Sequence, residues 1–224
     1  MYATTYRSAS AINEAMGRVY GYMGLAVIVS MLVSMGVGTN PELVKFFFTG
    51  VMHWVVMLAP LLAVFLLVPF LNANPPKELA LLALGGFSAL MGLSFSVIFA
   101  VYTAMSIFNA FMGAAVLFGT MSFYGYFTKK DLSSMGQMMF VGLIAIIIAS
   151  IINIFIGSTV MQMVISAIAI IIFLGLTAYD TQQIREMVSV DSSTATEVMG
   201  ALTLYLDFIN LFLSLLQLLG GKKE

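Results

Sequence analysis

Apolar residues in this chain come in long unbroken blocks, without the alternation of half-buried strands. The first block runs from Val19 to about Val37. After Pro41, Glu42 and Lys45 a second extends from Thr49 to Leu71. Asn72, Asn74, Pro75, Pro76, Lys77 and Glu78 then form a turn signal. No charge follows from Leu79 to Thr128, a stretch of 50 residues. A helix crosses roughly 30 Å of hydrocarbon with about 20 residues, so this stretch predicts a hairpin of two spans. Its break is expected near Tyr102 to Ser106. Lys129, Lys130 and Asp131 close that pair. The uncharged stretch Leu132 to Tyr179 predicts two more spans, split near Gly157, Ser158 and Thr159. A polar connection from Thr181 to Glu197 leads to a last span, about Val198 to Leu219. The pattern predicts an all-α polytopic membrane protein of seven transmembrane helices. Residues 1–18 form an N-terminal tail, 19–219 the membrane domain and 220–224 a C-terminal tail. A β-barrel is excluded, because barrel strands alternate over about ten residues.

Composition agrees. Only 8% of the 224 residues are charged and 61% are hydrophobic, against about 25% charged in soluble chains. Too few polar side chains remain to cover a soluble surface. A net charge of −1 excludes the basic field of a nucleic-acid binder. With no Cys and one His, neither a disulfide nor a thiolate or multi-histidine metal site can form. No cofactor is expected. The polar first 18 residues do not read as a signal peptide.

Lys and Arg near the span ends set the expected orientation. With the N-terminus in the cytoplasm, Arg7, Arg18, Lys77, Lys129, Lys130 and Arg185 lie inside, and Lys45, Lys222 and Lys223 outside. Six against three favours N-terminus in and C-terminus out.

The small residues read as packing elements. Gly17 and Gly21 make a GxxxG pattern, and Gly85, Gly86 and Gly92 dot the third span. Pro60 and Pro69 are expected to kink the second.

Asp207 stands apart. Nine residues beyond Val198, it lies about 13 Å into the last span, near the midplane. A carboxylate there costs roughly 2.5–3.5 kcal/mol on insertion scales. Thr203, Asp207, Asn210, Ser214 and Gln217 follow helical spacing, so one face of the last helix is polar. That face must meet protein or water, which makes the last helix a candidate for the bundle centre and the stripe a candidate cation path. Asp180 ends the sixth span on the side where the seventh begins. Thr194-Ala195-Thr196-Glu197 fits a capping box opening that helix. A pairing of Asp180 with Asp207 follows as an expectation, with Arg185 as the alternative partner of Asp180.

Two carboxylates about 4 Å apart repel by roughly 4 kcal/mol at an effective dielectric of 20. Such a pair shares one proton and titrates as a unit. Protonated, it latches two helices together. Deprotonated, it repels and offers oxygen ligands to a hard cation such as Ca²⁺. An intramembrane aspartyl protease is disfavoured, because Leu206 and Tyr179, not Gly, precede the two acids. No enzymatic activity is expected.

At these residues the sequence resembles the Bax inhibitor-1 family, in particular its bacterial YccA-like branch. The matching pieces are Tyr102-Thr103 with Ser106-Ile107 and Ala110-Phe111, Thr128 to Gly136, Tyr179-Asp180-Thr181-Gln182, and Tyr205 to Phe212. They occur in the family's order. The resemblance implies a last helix wrapped by three helical hairpins, and a pH-sensitive Ca²⁺ leak across the bacterial plasma membrane. It implies that Asp180 and Asp207 match the family's pH-sensing acids, which places the lipid bilayer, Ca²⁺ and protons among the partners. It links the chain to stress and cell-death responses, and the bacterial branch to restraint of the membrane protease FtsH. In that second reading the chain is an interaction protein that conducts no ions. The sequence departs from relatives that carry an Arg in the second helix: Thr49 to Leu71 contains none. Arg185 is the candidate replacement as latch partner of Asp180.

Overall fold

A computed structural model describes residues 7–191 and 193–223. Its helices are α1 (Ala9–Gly38), α2 (Pro41–Phe47), α3 (Gly50–Asn72), α4 (Lys77–Phe95), α5 (Val97–Val101), α6 (Ala104–Phe127), α7 (Ser133–Ile156), α8 (Thr159–Val190) and α9 (Thr194–Leu219). Among the described residues seven segments are long and apolar enough to cross a membrane, with α4 and α5 together forming one. The chain is an all-α polytopic membrane protein. α3 matches the expected second span to within a residue at each end, and the expected break at Tyr102 separates α5 from α6. The last helix is the most enclosed, with 61% of its apolar window buried against 6–39% in the other spans.

Three boundaries differ from the pattern. α1 begins at Ala9, ten residues before the apolar run, where Ser8 Oγ accepts from the Ala11 amide at 3.3 Å. α8 does not stop at Tyr179 but continues to Val190 through residues that read as a connection. The cap of α9 is Ser193, whose Oγ accepts from the Thr196 amide at 3.2 Å. Thr194 is therefore already helical, and Glu197 does not reach back to it as a capping box requires. Glu197 is held by Arg18 instead.

The described residues form two compact units. The first holds residues 7–102, 186–191, 193–205 and 223; the second holds 103–185 and 206–222.

In the first unit α1 packs along α4, and α3 against α4. Buried Ser30 and Ser88 lie at the α1–α4 contact. A Cβ on Gly92 would come within 2.5 Å of Ser30 O, so the two backbones touch. Ser30 Oγ lies 2.8 Å from Ser88 O and 3.0 Å from Ala26 O. Its one proton is spent there, so the Tyr205 hydroxyl, 2.6 Å away, donates to it. Pro60 lacks the N–H that would bond Val56 O, and Ser94 Oγ of α4 donates to that freed carbonyl at 2.6 Å.

In the second unit glycines also mark close approaches, but not the ones the GxxxG pattern suggests. A Cβ on Gly125 would sit 2.1 Å from Ala178 O, one on Gly136 within 2.5 Å of the Tyr179 ring, and one on Gly175 within 2.6 Å of the Met139 side chain. Gly17, Gly21, Gly85 and Gly86 have nothing within 4 Å of such a position. Of the glycines read as packing residues, Gly92 alone is one. Phe111, Phe118, Phe208 and Phe212 join α6 to α9 by edge-to-face contacts, with centroids 5.4 to 6.3 Å apart.

Candidate functional site

Asp207 lies 13 residues into the 26-residue α9, about 20 Å along a helix of about 39 Å. It is 5% exposed, and its Oδ2 is buried with no hydrogen-bond partner. A buried carboxylate oxygen without a donor is rare. Asp180 is also interior to its helix: α8 runs ten residues beyond it, nearly three turns. The two carboxyl groups meet side chain to side chain, in hydrogen-bonding contact once one of them holds a proton.

The backbone explains how Asp180 arrives there. Gly125 lets α6 contact α8 at Ala178, and Gly136 lets α7 contact it at Tyr179. Both contacts lie within one turn of Asp180. The turn that follows is fastened by polar side chains. Thr181 Oγ1 and Ser122 Oγ lie 2.9 Å apart. Gln182 accepts from the Leu132 amide and donates to Lys130 O, each at 2.9 Å. These bonds satisfy the polar residues of α8 after Tyr179, which is why the helix continues where composition predicts a connection.

Arg185 does not latch Asp180. Its guanidinium donates to Tyr126 O at 3.1 Å and sits 5.1 Å over the Tyr126 ring. Among the described residues neither Asp180 nor Asp207 has a Lys, Arg or His ion-pair partner. The pair therefore meets without a cation, and the place of the second-helix arginine found in some relatives is not taken by Arg185.

The other polar residues of α9 fare differently. Thr203 Oγ1 donates to Met199 O at 3.1 Å, Asn210 Nδ2 to Leu206 O at 2.8 Å, and Ser214 Oγ to Asn210 O at 2.7 Å. These donors are spent on their own helix. Gln217 joins α8 and α7 instead. Its Oε1 accepts from Gln162 Nε2 at 2.7 Å and Ser166 Oγ at 3.0 Å, and Asn153 Nδ2 donates to Gln162 Oε1 at 3.3 Å. In the second unit the acid pair and this amide cluster are the two polar groupings on the stripe. Asn153, Gln162 and Ser166 were not singled out in the sequence, since a lone amide in an apolar run carries little signal.

No group of three or more His, Cys, Asp or Glu residues occurs among the described residues. Two carboxylates supply at most four oxygens, fewer than the six to eight of a tight Ca²⁺ site.

The chain matches the family described as "Inhibitor of apoptosis-promoting Bax1" over residues 12–224. It belongs to the Bax inhibitor-1 family. Similar proteins include the inner membrane protein YbhL of Escherichia coli strain K12, 36% identical over 220 residues, covering 96% of this chain and 94% of that one. An uncharacterized protein of Rickettsia prowazekii is 36% identical, covering 95% and 92%. One from Deinococcus radiodurans is 34% identical, covering 96% and 94%. The match spans the whole described membrane domain and both acids.

Proposed function

We propose that this Bax inhibitor-1 family protein passes cations, Ca²⁺ foremost, down their gradient across a bacterial inner membrane, with Asp180 and Asp207 as its proton-sensitive gate. The observation that supports it is the buried Asp207 carboxylate, with one oxygen unpartnered, set against a second carboxylate with no cation paired to either among the described residues. With one shared proton the carboxyls hold α8 to α9 by a hydrogen bond. When that proton leaves, two negative charges repel within a low dielectric and present oxygens to a hard cation. Four oxygens hold Ca²⁺ too weakly to trap it, which suits passage rather than storage. The N-terminus lies in the cytoplasm and the C-terminus outside, as the distribution of Lys and Arg favours. The inner membrane follows from the name of the relative YbhL.

The test is Ca²⁺ flux into dye-loaded proteoliposomes across a pH series. Flux rises as pH passes upward through the titration of the pair, and Asp207→Asn flattens that dependence while melting like the wild type. A folded Asp207→Asn protein with unchanged pH-dependent flux sinks the proposal. Removing residues 1–7, the part of the 1–18 tail ahead of α1, separates it from the reading as an FtsH-restraining interaction protein whose activity that tail carries: a leak survives the deletion, whereas an activity borne by those residues does not. Single cysteines introduced at Ser8 and Gly221 test orientation, since the chain has no other Cys. An impermeant maleimide applied from outside should label only Gly221→Cys.

A further inference from the structure

Three cations gather at one end of the second unit. Arg185 is anchored to the last turn of α6 through Tyr126 O and the Tyr126 ring. One turn earlier on the same helix, Gln182 bonds both Lys130 O and the Leu132 amide. The α6–α7 turn bearing Lys129 and Lys130 is thereby clamped to α8. The side chains of Lys129, Lys130 and Arg185 are exposed, and among the described residues none pairs with a carboxylate. The acid within the turn, Asp131, accepts from the Ser133 amide at 2.9 Å.

Beside them the end of α6 bears an aromatic ledge. Phe123 and Phe127 are 67% and 62% exposed, with centroids 4.5 Å apart, and Tyr126 lies 4.9 Å from Phe127. A Tyr such as Tyr126 at the end of a spanning helix belongs at the membrane–water interface, and the apolar rings of Phe123 and Phe127 lie beside it. The juxtaposition of fixed unpaired cations with such rings matches a molecule with an anionic head and an apolar tail.

We propose that Lys129, Lys130 and Arg185 form a binding site for the phosphate of an anionic phospholipid, whose acyl chains lie on Phe123 and Phe127. Arg185 spends one N–H on Tyr126 O and keeps the rest of its fork for phosphate oxygens. The rigid turn supplies the two lysines without ordering a loop. The rings favour a lipid over a soluble phosphate, because they contribute only to a ligand with a tail.

The proposal is tested with the full chain in neutral detergent, counting bound lipid by native mass spectrometry against phosphatidylglycerol and phosphatidylcholine. The wild type should prefer phosphatidylglycerol. Each cation near an anionic surface contributes about fivefold, so Lys129→Ala with Lys130→Ala should cut that preference by about 25-fold. Arg185→Ala should cut it further, and Lys45→Ala on α2 should leave it unchanged. The double lysine variant keeps the Arg185–Tyr126 contact, so its fold is not at stake. Equal binding of the two lipids by the wild type overturns the site. So does an equal loss with Lys45→Ala, or full preference in the double variant. Displacement of the lipid by millimolar inorganic phosphate would assign the cations to a soluble anion and overturn the lipid assignment.

Discussion

Arg18 grips Glu197 with three contacts, Nη2 to Oε1 at 2.6 Å and Nε to both carboxylate oxygens at 2.9 and 3.0 Å, and the carboxylate it holds is only 2% exposed. Its remaining Nη1 reaches Glu14 at 2.7 Å, one turn back on α1. The third turn of α1 and the first turn of α9 are thus tied by an ion pair whose partners are 179 residues apart. A two-toothed guanidinium on a carboxylate is the strong form of such a bond.

Arg18→Ala strands a buried carboxylate. Breaking a fully buried pair costs about 3–5 kcal/mol. Arg18 is 36% exposed at its side chain, so water softens the loss to about 2–3 kcal/mol. Glu197→Gln, which removes the charge and keeps the shape, should cost less. Combined with Arg18→Ala it should recover part of the loss, giving a coupling of at least about 1 kcal/mol in a double-mutant cycle read by denaturation in detergent. Additive losses would show that the pair is held by its surroundings rather than by its charge.

This bond also shows where a sequence reading reaches and where it stops. The seven spans are legible because hydrocarbon demands about 20 apolar residues, and Thr49–Leu71 returned as Gly50–Asn72. Asp207 is legible because a charge amid Leu, Tyr and Phe has no cheap explanation in lipid. Glu197 misleads, because its local spacing fits a capping box while its partner is remote in sequence. The end of α8 misleads for the same reason. Thr181, Gln182 and Arg185 look like a connection until α6 and the α6–α7 turn supply their partners. Arg185 is the candidate partner of Asp180, five residues before it, but in the structure it turns to Tyr126. Local pattern reports the solvent a segment needs; it does not report which distant group will satisfy its polar atoms.

Asp191 predicts an acid-sensitive start to α9. It accepts from the Thr196 hydroxyl and from the amide and hydroxyl of Ser193, at the start of α9 and outside the spans. The Thr196 hydrogen bond first, then those from Ser193, hold its carboxyl below the ordinary carboxylate range. A depressed pKa stabilises the fold above the ordinary value of about 3.9, and that contribution is lost as pH falls through the depressed value. The site is largely exposed, so screening keeps its worth below about 1 kcal/mol. Relative to the intrinsic rate, amide exchange in the first turn of α9 should accelerate below pH 4 in the wild type. In Asp191→Ala it should be fast throughout. A wild-type rate that shows no acid acceleration beyond intrinsic exchange would remove Asp191 from the cap.

The glycines divide into two predicted classes. Gly125→Ala places a methyl 2.1 Å from Ala178 O. The obstacle is backbone, so α6 and α8 must part just where Asp180 is positioned. Melting in detergent should fall by more than for any other Gly→Ala change in the second unit. Gly17→Ala and Gly21→Ala meet nothing within 4 Å. They should be neutral, or more stable by up to about 1 kcal/mol from helix propensity. Destabilisation at Gly17 or Gly21 would point to packing against another chain, since nothing among the described residues requires them small.

Ser94 and Pro60 make a coupled pair that a thermodynamic cycle can resolve. Pro60 leaves Val56 O without its helical donor, and Ser94 Oγ fills the gap at 2.6 Å. Ser94→Ala should therefore cost about 1–3 kcal/mol, the penalty of a buried carbonyl left unmade. Pro60→Ala restores an N–H to α3 and closes that carbonyl from within the helix. In the Pro60→Ala background the same Ser94→Ala change should cost much less, because the hydroxyl then has only Leu90 O, at 3.2 Å, to lose. The difference between the two costs measures what the serine does for the proline. Equal costs in both backgrounds would mean that Ser94 stabilises α4 through packing, and that Val56 O finds its donor elsewhere.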